Sequence, residues 1–80
     1  MKIQLEQTDR IVELESDGGT VPARIWQGET ESGIRVLAYV TRIMPVMDKD
    51  DPRQQEFQDA LAQTAAPRAE VNGIPLRLIL

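Results

Sequence analysis

Apolar and polar positions roughly alternate along Arg10-Ile11-Val12-Glu13-Leu14-Glu15. That period of two, with β-branched residues in it, predicts a strand over 10–15. Ser16-Asp17-Gly18-Gly19 follows. Asp-Gly between two apolar runs predicts a hairpin closed by a type I′ turn, which needs a positive φ at both central positions. The second strand runs over Val21–Gln27, and its Pro22 lacks a ladder donor, so it favours an edge or a strand start. Glu29-Thr30-Glu31-Ser32-Gly33 is a second turn, closed by glycine. The longest strand is expected over Ile34–Met44, with Ile34, Val36, Ala38 and Val40 on one face and Leu37, Tyr39 and Ile43 on the other. A half-exposed strand would be polar on its second face. This one is therefore either central in the sheet or in contact with another subunit.

Pro45 ends that strand, and Asp48-Lys49-Asp50-Asp51 is a polar loop. Asp51-Pro52-Arg53-Gln54 reads as a helix start, with Asp51 as N-cap, Pro52 at the first helical position and Gln54 three residues after the cap. The helix should reach about Thr64 and dock on the sheet by a narrow stripe of Phe57, Ala60, Leu61 and Ala65. Asn72-Gly73 is a turn. The tail Ile74-Pro75-Leu76-Arg77-Leu78-Ile79-Leu80 alternates again, with Ile74, Leu76, Leu78 and Leu80 on one face. The expected fold is α+β: one domain over 1–80, with a small antiparallel or mixed sheet in the order β-β-β-α-β and one covering helix. The last strand returns beside the first. Whether residues 1–9 add a strand stays open, as does exchange of the C-terminal strand between subunits.

The composition narrows the chemistry. The 80 residues include no cysteine and no histidine. Disulfides, thiolate zinc sites, cysteine nucleophiles and histidine acid–base catalysis are excluded. Ser16 and Ser32 have no imidazole to activate them, and Gly18-Gly19 lacks the helix that a phosphate loop requires. The chain is expected not to be an enzyme and to need no cofactor. In the acidic loop, alternating aspartates suit a hard cation, but Arg53 stands where an EF-hand needs glycine. A solvated loop at a helix N-terminus is the better reading, with no metal. The net charge of −4, with no basic run, leaves out the phosphate-driven term of nucleic-acid binding. No segment approaches the ~18 apolar residues of a membrane span, and the opening residues do not read as a secretory signal, so the expected location is the cytosol. A core of this size supplies only about 3–5 kcal/mol, and without disulfides or metal the common remedy is a second subunit. A homo-oligomer is expected through Leu37, Ile43, Leu76, Leu78 and Leu80.

Arginine outnumbers lysine 7 to 2, and this singles out a candidate surface. Arg24 and Trp26 share one strand face, and Arg35 and Tyr39 share a face of the next strand. Hairpin pairing would bring these sets together, with Arg42 near the strand end. Guanidinium forks and aromatic planes suit a phosphorylated nucleotide. They equally suit a protein interface. Arginines snorkelling along a sheet and pairing with Glu13, Glu15, Glu29 and Glu31 would leave no site at all.

The stretch Val21-Pro22-Ala23-Arg24-Ile25-Trp26-Gln27-Gly28-Glu29-Thr30-Glu31-Ser32-Gly33-Ile34, then Val40-Thr41-Arg42-Ile43, Phe57 and the closing Ile74-Pro75-Leu76-Arg77-Leu78-Ile79-Leu80, resembles small proteins of tailed phages and prophages. No active-site motif accompanies the likeness. It implies a setting: an antagonist of host antiviral defence that acts by stoichiometric binding. The partner would be a host defence protein, or a nucleotide signal held by an oligomeric sponge. A structural or accessory phage protein with no ligand is the alternative.

Overall fold

A computed structural model describes residues 1–79. The chain forms β1 (Ile3–Ser16), β2 (Gly19–Thr30), β3 (Arg35–Val40), α1 (Arg53–Leu61), α2 (Ala69–Asn72) and β4 (Arg77–Ile79). The four strands make one sheet in the order β3-β2-β1-β4. Neighbours pair antiparallel except β1 and β4, which run parallel. The α+β class, the mixed sheet and the return of the last strand beside the first agree with the sequence. The order differs by a second, short helix.

The hairpin β1–β2 is much longer than its apolar alternation suggested. β1 starts at Ile3, so residues 3–9 belong to the strand predicted over 10–15. The pairing slips between Gln7 and Ile11: Gln7 lies opposite Trp26 and Ile11 opposite Arg24, so Thr8, Asp9 and Arg10 face Ile25 alone. This wide bulge is tied down from within. Thr8 Oγ1 donates to the Ile25 carbonyl at 2.7 Å and accepts the Arg10 N–H at 3.2 Å. Arg24 donates to the Thr8 carbonyl at 2.8 Å. Two extra residues preserve the alternation of faces on both sides of the bulge. At the hairpin tip the connection is the expected two residues, but neither Asp17 nor Gly18 has a positive φ. The left-handed residue is Gly19, at 119°. The turn is therefore not type I′; a glycine just after the loop absorbs the reversal instead.

Pro22 fits its position for a local reason. β2 is central as a whole, yet β3 pairs only with Arg24–Glu29. At Pro22 the strand has β1 as its one neighbour, so the missing donor breaks no ladder. β3 ends at Val40, four residues before the expected end, and it forms an outer strand of the sheet. Of the two explanations for its doubly apolar character, a central position is ruled out.

One sheet face carries the core: Val12, Leu14, Ala23, Ile25 and Val71 are buried together, with Leu37, Ile74 and Leu78 packed around them. The cover is α2, not α1. None of α1's residues is buried, and Phe57 and Leu61 reach only half-burial. The chain meets the β1 edge at Ala65, whose N–H donates to the Gln7 carbonyl at 2.8 Å. It then packs Val71 of α2 on the core and returns to the same edge as β4. The expected covering stripe on α1 is thus a correction. A stripe of one aromatic, one leucine and two alanines buries less than the segment 71–78, which is aliphatic and tethered at both ends to β1.

The start of α1 is close to expectation. Asp51 Oδ1 accepts the Arg53 N–H at 2.9 Å, and its carboxylate also takes the Arg53 guanidinium at 2.7 Å. Pro52 stands at the cap position with helical dihedrals. The Arg53 side chain, then its backbone N–H, holds the Asp51 carboxyl below its ordinary 3.8. A lowered folded-state pKa contributes stability above that ordinary value, and the contribution is lost as pH falls through the folded one. Acidification below pH 3.8 should therefore loosen the first turn of α1 before the sheet. Amide exchange at residues 53–56 measures it; equal loss of protection in β1 and β2 would contradict it.

Candidate functional site

The β-ladder register decides which candidate side chains meet. Opposed residues in a ladder share a face. Trp26 lies opposite Ala38 and Arg24 opposite Val40. Tyr39 lies opposite Ile25 and Arg35 opposite Glu29. Arg24 and Trp26 therefore point to the face away from the core, and Arg35 and Tyr39 to the core side. The composite arginine–aromatic pocket expected from the hairpin does not form, because pairing brings even residues of β2 to even residues of β3.

Each candidate then has its own surroundings. Arg24 is half-buried and committed to the Thr8 carbonyl. Trp26 is half-buried. Arg35 lies 3.7 Å from Glu70, with its side chain 70% exposed. Tyr39 is 40% exposed. Arg42 is exposed beyond the end of β3. Carboxylates do engage arginines, as the site-free reading of the sequence expected, with Arg77–Glu15 joining two strands and Arg68 reaching Glu29 from outside the sheet. Arg68 meets Glu29 at 3.1 Å and Arg77 meets Glu15 at 3.2 Å.

The residues expected at a subunit interface divide as well. Leu37 and Leu78 pack against the chain's own core. Ile43 and Leu76 are exposed, and Leu80 lies outside the described residues. The shared face expected for Ile74, Leu76 and Leu78 is broken, because the strand begins only at Arg77 and Leu76 precedes it.

Away from the core, the sheet presents an apolar surface. Register places Ile3, Leu5 and Ile11 of β1, Trp26 of β2, and Val36 and Val40 of β3 on this one face, and none of these six is buried; Ile3, Leu5 and Ile11 are 40%, 36% and 42% exposed. Arg24 stands among them between Ile11 and Val40, and buried Gln7, opposite Trp26, holds the end of α1 there. The alternation of β1 makes the contrast legible: even positions Val12 and Leu14 enter the core, and odd positions Ile3, Leu5 and Ile11 do not. On a small monomer such a surface normally signifies a binding site.

Two buried glutamines anchor the C-terminal half of the chain, and sequence reasoning passed over both. The Gln7 amide donates to the carbonyls of Ala60, Leu61 and Gln63 at 3.1, 2.9 and 2.7 Å. It thereby supplies donors at the carbonyl end of α1, where the helix has few N–H groups left to give and Ala60 also accepts the Gln63 N–H at 3.1 Å. Gln27 donates to Glu6 Oε1 and to the Ala66 carbonyl, both at 3.1 Å, and accepts the Arg68 N–H at 2.9 Å. Its full burial is tolerated because donors and acceptor are paired. The signal was available: Gln27 continues the inward series Ala23, Ile25, and a polar residue on a core face must be hydrogen-bonded. Beside it, Gln4, Glu6, Gly28, Glu29 and Arg68 line an open cleft of about 380 Å³.

Among the described residues no three side chains of metal-ligating type gather to hold an ion, and no helix is long and apolar enough to cross a membrane. No protein-family model, curated protein or solved structure matches the chain. What the geometry offers is a surface for contact.

Proposed function

We propose that this chain is a non-enzymatic binding protein that acts by stoichiometric contact with a protein target through the apolar sheet face around Trp26. In the setting that the phage and prophage resemblance implies, the target is a host defence protein and the chain is its antagonist in the host cytosol. The observation that carries the reading is the unburied row Ile3, Leu5, Ile11, Trp26, Val36 and Val40 on a face that the chain's own core does not use. Apolar side chains around one tryptophan, with Arg24 among them between Ile11 and Val40, suit a protein surface, where tryptophan and arginine are favoured anchors. The nucleotide-sponge reading has less support. It needs guanidinium groups and aromatic planes converging on one cavity, and the ladder register sends Arg24 and Trp26 to one face and Arg35 and Tyr39 to the other.

Trp26→Glu tests the reading. It should abolish retention of a host protein in a pull-down while the chain stays folded by circular dichroism with a lowered melting temperature, because Trp26 is half-buried but lies outside the core cluster. A specific host protein retained equally by the wild type and Trp26→Glu would overturn it. In parallel, cyclic dinucleotides and ADP-ribose derivatives should leave the melting curve unmoved; a clear rise with one of them would favour the sponge. Appearance of the protein in purified virions, with no host protein retained, would favour the structural or accessory role.

A further inference from the structure

We propose that two copies of this chain pair antiparallel through their β3 edges, with the two-fold axis at Leu37, to make one continuous sheet. The contact is distinct from the apolar face around Trp26 and does not depend on what that face binds.

The first observation is the surface that the chain leaves exposed. A folded monomer of 9.0 kDa has an accessible surface of about 4,850 Å² by the usual scaling with mass. This chain exposes 6147 Å². Its radius of gyration is 14.4 Å, against about 12 Å for a compact domain of this length. The excess, about 1,300 Å² over the whole chain with the Trp26 face included, exceeds the roughly 800 Å² that each partner contributes to a standard interface. A second copy is an occupant of the right size.

The second observation is the edge itself. The Thr30 N–H donates to the Ile34 carbonyl at 2.9 Å, which makes Thr30–Ile34 a hydrogen-bonded pair. Such pairs alternate along an antiparallel ladder. Val36, Ala38 and Val40 therefore point their backbone groups at β2. Arg35, Leu37 and Tyr39 point theirs away from it, and among the described residues β3 pairs with no other strand. Of the usual devices against edge pairing, Arg35-Val36-Leu37-Ala38-Tyr39-Val40 holds one charged side chain, Arg35 at its end, and no proline, lysine or bulge. The opposite edge strand, β4, has only three residues.

The third observation selects the register. The outward-pointing residues 35, 37 and 39 are symmetric about Leu37. A two-fold there pairs Leu37 with its own copy and Arg35 with Tyr39, and every new ladder bond falls inside the observed strand. Opposed residues share a face, so the exposed guanidinium of Arg35 meets the exposed ring of Tyr39 twice, a pairing suited to cation–π contact. Within one chain Arg35 stands 3.7 Å from Glu70 with its side chain still 70% exposed, so the ring of Tyr39 from the second copy can reach it.

Sedimentation equilibrium of the full chain should give about 18 kDa, twice the 9.0 kDa of one copy. Tyr39→Lys sets an ammonium opposite Arg35 in both symmetry-related pairs and should weaken the dimer on the order of tenfold or more. Adding Arg35→Glu to Tyr39→Lys reverses the charge opposite the lysine and should restore dimerisation. Because the parent chain has no cysteine, Leu37→Cys gives a separate readout. Opposed Cα atoms in a hydrogen-bonded pair lie about 5.5 Å apart, within disulfide range, so oxidation should yield a covalent dimer. A 9.0 kDa species at 100 μM overturns the proposal. So does a dimer that folded Tyr39→Lys leaves intact, since that would place the contact elsewhere. If Leu37→Cys does not fold, the charge-reversal pair decides alone.

Discussion

Gly28→Ala should leave the protein unfolded at room temperature. A Cβ at this position would stand 1.7 Å from the Gln4 carbonyl oxygen and 3.0 Å from the Leu5 Cα. Both are backbone atoms of β1, so no rotamer change relieves the overlap; the central strands would have to separate. Overpacking of a core by a single methylene costs about 1–3 kcal/mol where side chains can shift. Here none can, so at least about 3 kcal/mol is expected, against the roughly 3–5 kcal/mol that a core of this size supplies. Gly18→Ala is the control. Nothing lies within 4 Å of its Cβ, and Gly18 has no positive φ. It should be neutral or slightly stabilising. Circular dichroism on the two variants checks both, and a folded Gly28→Ala with an unchanged melting temperature would contradict the strand approach.

Val71→Asp should be nearly as damaging, while Phe57→Asp should cost about 1 kcal/mol or less. The comparison decides which helix covers the core. Val71 is fully buried among Val12, Leu14, Ala23 and Ile25, and a carboxylate there has no partner. An unpaired buried charge costs several kcal/mol, enough to unfold a domain of marginal stability. Phe57 is only half-buried on a helix with no buried residue, so its aspartate stays in water. Denaturant titration of the two variants measures the difference. Equal losses, or a larger loss at Phe57, would return the covering role to α1.

Both predictions concern residues whose importance is hard to see along the chain. The expected second strand stopped at Gln27, which left Gly28 in a loop. Glycine inside a strand marks a close approach of backbones, but that reading requires knowing that the strand continues. Val71 lies in Ala69-Glu70-Val71-Asn72, one turn of helix with a single aliphatic residue. No periodicity can be read from one turn, so along the chain Asn72-Gly73 reads only as a turn; Gly73 does turn, but as the cap that closes α2. The stripe on α1 was legible as a helix and misleading as a cover, since a 3.6-residue period reports local conformation and not what the helix packs against. Residues 3–9 raise the same problem. Leu5 and Ile3 alternate with polar residues, but the bulge at Thr8–Arg10 interrupts the pattern, and only pairing with β2 reveals one strand.

The candidate surface divides along the same line. Alternation by itself determined that Arg24 shares a face with Trp26 and Arg35 with Tyr39, because successive side chains on a strand point to opposite sides. Turn and helix-start signals gave the position of the hairpin and the α+β class, and composition gave the absence of thiol and imidazole chemistry. Tertiary structure alone decided that the two sets face away from each other, that the apolar residues of β1, β2 and β3 join into one surface, and that Gln7 and Gln27 fasten the C-terminal half to the sheet. The reason is that strand register and bulge length are settled by pairing between strands, and the choice of covering helix by contacts between segments 41 to 64 residues apart, through free-energy differences that no local window of sequence contains.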